Sequence, residues 1–121
     1  MAESIIKTTI AKGQSMSNPL DCRGGQLVRV HMPPAWTGAP LTVQLSPDNN
    51  LWSTLTFRDG KDYEIGVVPN SVVLLDDAFT RSIGWVRLVS GTRNTKLVPQ
   101  AENREFTLIM YTAGVAASSR Q

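Results

Sequence analysis

Leu41-Thr42-Val43-Gln44-Leu45-Ser46 alternates apolar and polar residues along its whole length. Successive side chains of an extended chain point to opposite faces, so Leu41, Val43 and Leu45 are expected to face a core and Thr42, Gln44 and Ser46 solvent. The same period recurs over 26–32, with Val28, Val30 and Met32 on one face, and again in Phe106, Leu108 and Met110. Residues 4–10, 51–57, 63–67, 71–75 and 83–90 read as further strands. In the last of these Trp85, Arg87 and Val89 lie opposite Val86 and Leu88, and Trp85, after Ile83-Gly84, is assigned to the core.

Turn formers separate these segments: Ser17-Asn18-Pro19, Arg23-Gly24-Gly25, Met32-Pro33-Pro34, Pro47-Asp48-Asn49-Asn50, Asp59-Gly60, Pro69-Asn70 and Ser90-Gly91-Thr92. Each supplies a residue that tolerates positive φ or fixes φ near −65°. A parallel sheet would need helical crossovers, for which the chain has no room. The expectation is therefore an all-β fold, an antiparallel β-sandwich of jelly-roll type with about eight strands. Asp at an N-cap position in Asp76-Asp77-Ala78-Phe79-Thr80-Arg81 adds one short helical turn near 76–81.

At 121 residues, 41% apolar and 18% charged, the chain has the size and composition of one folded domain. That domain is expected over 1–111, including an N-terminal strand or arm. Residues 112–121 are small, polar and aperiodic and read as a tail that only contact with a partner would order. The start Met1-Ala2-Glu3-Ser4 has no signal-peptide pattern, and no apolar run suits a membrane helix, so synthesis in the cytoplasm and no membrane partner are expected. Net charge is +2, from 12 basic and 10 acidic residues. Arg23, Arg29, Arg58, Arg81, Arg87, Arg93 and Arg104 are widely spaced, so no phosphate-tracking cluster and no nucleic-acid partner are read.

Candidate chemistry is sparse. The single histidine, His31, alternates with Val30 and Met32 and reads as an outward polar position. No nucleophile elbow, P-loop or dinucleotide fingerprint is present, and one Cys with one His cannot build a zinc site. Asp48, Asp59, Asp62, Glu64, Asp76 and Asp77 do not have calcium-loop spacing; Asp48 and Asp59 are better explained as turn residues. No catalytic residue, cofactor or metal is assigned, and the chain is expected not to be an enzyme. Cys22, in the turn Asp21-Cys22-Arg23-Gly24-Gly25, is expected to be partly exposed and is a candidate intersubunit crosslink. Trp36, in a proline-rich loop, together with Trp52 and Tyr63, forms the candidate contact set for a protein interface or a glycan. For Trp36 the alternative is a plug folded over one end of the sandwich, because a ring of that area is costly to leave in water.

Four blocks carry a family resemblance: Met32-Pro33-Pro34-Ala35-Trp36-Thr37, Leu41-Thr42-Val43-Gln44-Leu45-Ser46-Pro47-Asp48, Trp85-Val86-Arg87-Leu88-Val89-Ser90-Gly91-Thr92 and Gln100-Ala101-Glu102-Asn103-Arg104-Glu105-Phe106-Thr107-Leu108. Over about residues 25 to 110 the chain resembles small β-sandwich virion proteins encoded among the structural genes of tailed bacteriophages and prophages. The resemblance implies a virion component whose partners are capsid or neck and tail subunits and copies of itself. Head decoration or cement, or the base of a head spike, is the expected role. A glycan-binding module of a fibre or tail is the alternative, and a neck or tail structural protein a further one.

Overall fold

The computed structural model describes residues 2–75, 84–92 and 97–112. It contains nine strands: β1 (Ala2–Ile10), β2 (Leu20–Asp21), β3 (Gln26–His31), β4 (Leu41–Ser46), β5 (Ser53–Thr54), β6 (Glu64–Ile65), β7 (Val72–Leu74), β8 (Trp85–Ser90) and β9 (Arg104–Thr112). They form two antiparallel sheets, one in the order β1-β9-β3-β7 and the other β2-β8-β4-β5, with β6 also paired to β4. Most connections cross from one sheet to the other, which is the jelly-roll winding. The expected helical turn at 76–81 lies outside the described residues.

One core fills the space between the sheets. The first sheet contributes Ile10, Leu27, Val30, Phe106, Leu108 and Met110, and the second Leu20, Leu41, Val43, Ile65, Val86 and Leu88. Each such side chain removed from water contributes about 1.5–3 kcal/mol before entropy is charged against it. Phe106 is fully buried and in edge-to-face contact with the Trp36 ring, at a centroid distance of 5.7 Å and 73° between planes.

Several expectations from alternation alone are corrected. Pairing of β3 with β9 slips between Leu27 and Arg29, leaving Val28 as the extra residue of a β-bulge. The bulge resets the phase, so Leu27 faces the core and Val28 is only half-buried. Thr42 and Ser46 are buried, because loops cover the outer side of β4 at both ends. Thr42 Oγ1 donates to the Gly91 carbonyl at 2.7 Å, and Ser46 Oγ accepts from the amides of Asp48 and Asn50. Leu45 packs half-buried against the core on the expected side, whereas Trp85, also half-buried, stands on the outer face of the second sheet rather than in the core. The strand β2 falls in a stretch that reads as a turn. It is held by pairing to Trp85 and Val86, and the boundary expected at 111 falls inside β9.

The turns behave as their residues require. Asp48 Oδ1 accepts from the amides of Asn50 and Leu51 at 2.9 Å, and Asn49 takes φ 60°. Gly60 takes φ 88° beside Asp59, whose carboxylate accepts from the Lys61 amide. Gln100 is a buried polar node: its Oε1 accepts from Thr37 N–H at 2.9 Å, and its Nε2 donates to Ser90 Oγ at 2.8 Å. A side chain with its donors and acceptor occupied avoids the penalty of an unpaired buried amide.

Gly84 leads into β8 with φ +70°, and a Cβ there would stand 2.8 Å from the Ser46 carbonyl oxygen. Gly84→Ala is expected to destabilise the chain by about 1–3 kcal/mol, since both the left-handed conformation and the backbone contact oppose it. Urea unfolding should show a lower midpoint with an unchanged slope.

Candidate functional site

The two sheets present unlike outer faces. On the second sheet, aromatic rings and arginines satisfy one another. Arg23 makes a two-pronged contact with Asp21, Nε to Oδ1 at 2.9 Å and Nη2 to Oδ2 at 2.8 Å, while its guanidinium lies 4.9 Å from the centre of the Trp85 ring. The Arg23 hydrogen bonds hold the Asp21 carboxyl at about 2, below the ordinary 3.8. Arg87 sits 4.4 Å over Trp52 and donates from Nε to Gln44 Oε1 at 2.7 Å. Desolvation lowers the pKa of this arginine from its ordinary value, and its charge is retained because guanidinium deprotonates far above neutral pH.

On the first sheet the outer face is apolar where it is most open. Register places Ile5, Ile109, Arg29 and Leu74 in one row across β1, β9, β3 and β7. The next row is Lys7, Thr107, His31 and Val72. Ile5 is 68% exposed, Leu74 79% and Val72 50%, whereas Ile109, flanked on both sides, is buried. Charged residues frame these positions. Glu3 pairs with Arg29 at 3.3 Å, partly covered, and Lys7 with Glu105 at 3.7 Å, largely in solvent and individually weak. Beyond the second row lies an open cleft of about 370 Å³, lined by His31, Met32, Pro34, Asn103, Arg104 and Glu105 among others. His31 thus takes the outward position that its alternation predicts.

The residues singled out from sequence are dispersed rather than gathered. Trp36 is half-buried against the core with its Nε1 donating to the Ala39 carbonyl at 2.9 Å, so it takes the plug position. Trp52 has one face under Arg87. Tyr63 packs partly on the core and lies 5.3 Å from the Phe57 ring. Cys22 is a correction: it is 1% exposed and belongs to the core cluster, because its amide donates to the Gly84 carbonyl and turns the side chain inward. Burial pushes its thiol up to about 12 from 9.0, so the group is neither ionised at neutral pH nor within reach of a neighbouring subunit. Among the described residues no group of three or more His, Cys, Asp or Glu side chains could hold a metal, and no helix is long and apolar enough to cross a membrane.

Sequence reasoning overlooked Ile5, Val72 and Leu74. The available signal was the adjacency of apolar residues, in Ile5-Ile6 and in Val72-Val73-Leu74-Leu75. A strand cannot turn consecutive side chains to the same face, so one parity in each run has to point outward. No family model, curated protein or solved structure matches the chain.

Native Cys22 is expected to be inert to thiol reagents at pH 8 and to react once the chain is unfolded in urea. Its folded pKa lies above the unfolded value, so its contribution is complete below pH 9.0 and falls as pH rises toward about 12. Melting temperatures of the wild type and Cys22→Ala, compared across that range, should converge with increasing pH.

Proposed function

We propose that this chain is a structural component of a tailed-phage virion, a head decoration or cement protein or the base of a head spike, acting through protein–protein contacts. The observation that carries the reading is the contrast between the two faces. The β2-β8-β4-β5 face ties up its arginines and rings internally, whereas the β1-β9-β3-β7 face leaves Ile5, Val72 and Leu74 in solvent. Large apolar side chains exposed side by side, as Val72 and Leu74 are on β7, are what an interaction surface requires. The resemblance over residues 25 to 110 supplies the virion setting. Jelly rolls serve in viral shells and in lectins alike, so the fold supports a contact role without choosing the partner.

The partner surface on the particle would cover Leu74 and Val72 and meet Arg29, His31 and the flanking carboxylates at the rim. Burying one leucine side chain contributes about 1.5–3 kcal/mol, enough to matter for occupancy but modest enough that neighbouring contacts must add to it.

Particles banded from an induced lysate of the strain that carries the gene should contain the chain in a fixed ratio to the major capsid or tail-tube subunit, as read by quantitative mass spectrometry. Leu74→Glu should lower that occupancy roughly tenfold or more while leaving the melting temperature close to wild type, since the side chain lies outside the core. Absence of the chain from purified particles would overturn the reading.

A further inference from the structure

The strand β1 is an edge. It pairs with β9 along its length, and its other side is closed at one end only, where the Thr9 carbonyl accepts from the Asn18 amide at 3.3 Å and Ile10 bridges Ser17. The amide and carbonyl of one strand residue point to the same side, and those of its neighbour to the opposite side. With the Thr9 carbonyl facing away from β9, the backbone groups of Lys7, Ile5 and Glu3 also face the open side. Among the described residues these groups have no backbone partner.

We propose that β1 pairs with the β1 strand of a second copy of this chain, antiparallel and centred on Ile5. Two observations fix this register. The loop at 17–18 occupies the edge from Thr9 onward, so the open stretch is 2–8, and its midpoint is residue 5. A twofold axis through Ile5 sets Glu3 opposite Lys7 of the second copy and Lys7 opposite its Glu3. Each of these is a hydrogen-bonding position, so the pairing supplies about six backbone bonds.

The side chains agree with the backbone. Glu3, Ile5 and Lys7 all point to the outer face, where Ile5 is 68% exposed and would meet its twin. Glu3 already contacts Arg29 and Lys7 contacts Glu105 within the chain. The pairing therefore produces an alternating row, Glu105-Lys7 of one copy continuing into Glu3-Arg29 of the other, and repeats it by symmetry. Any pairing that kept the same face but moved the axis to Lys7 would leave Glu3 without this partner and would run into the 17–18 loop. The product is one continuous eight-stranded sheet with β7 at both outer edges, and the exposed Leu74 and Val72 stay free for the surface proposed above. The inference concerns the isolated chain and does not depend on the virion reading.

The test is sedimentation equilibrium of the purified full chain and of three charge variants, with circular dichroism to confirm folding. Wild type should be in a monomer–dimer equilibrium. Glu3→Lys and Lys7→Glu, each of which sets like charges opposite one another at both ends, should weaken dimerisation roughly tenfold or more. The double variant Glu3→Lys/Lys7→Glu restores both pairs between copies, although it sets like charges beside Arg29 and Glu105, and should dimerise more tightly than either single variant. As a second measurement, Ile5→Pro should abolish the dimer while leaving the fold intact, because its N–H faces the open edge and not β9. A strictly monomeric wild type, single swaps without effect, or a folded double variant that dimerises no more tightly than the single variants would each overturn the proposal.

Discussion

Hydrogen bonding of β9 on both of its edges is the constraint on which the rest of this structure depends. Its nine residues bond β1 along one side and β3 along the other, so a single strand fixes the register of most of the first sheet. Its alternation then does two jobs at once. Phe106, Leu108 and Met110 enter the core, and Thr107 and Ile109 stand in the outer rows that end at the exposed side chains of β1 and β7. A one-residue slip would exchange those faces, which is why buried residues of this size specify the pairing so strongly.

Much of the architecture was legible because the period of two survives in β4, β8 and β9 and because the turns are written in residues with few alternatives. Asp48-Asn49 and Asp59-Gly60 sit in turns of the kind their side chains favour. What escaped were features that alternation cannot express. The bulge at Val28 inserts a residue and exchanges the parity that a uniform strand would have, and nothing in Gln26-Leu27-Val28-Arg29 marks it in advance. Thr42 and Ser46 look solvent-facing by pattern and are buried by loops that arrive from elsewhere in the chain. Cys22 lies in a turn, yet one backbone bond to Gly84 directs its side chain into the core.

The candidate surface was harder to read for a related reason. Large aromatics draw attention as contact residues, but here Trp36 is sealed against Phe106 and Trp52 is covered by Arg87. Their area is more valuable to the fold than to a partner. On the outer face of the first sheet the open positions fall instead to ordinary aliphatic residues at Ile5, Val72 and Leu74, which sequence composition treats as core. Distinguishing them required knowing which side of each strand the sandwich covers.

The Gln100 node ties together segments that are distant in sequence. One amide holds the loop at Thr37, the end of β8 at Ser90 and, through its Oε1, the Arg104 side chain at the start of β9. Arg104 in turn reaches Thr37 Oγ1. Local fluctuations at that end of the core are therefore coupled: freeing any one of the three segments takes a hydrogen bond away from the buried Gln100 amide. Amide exchange there should occur through a single cooperative opening, while the edge strands at the flanks breathe independently and at lower free energy.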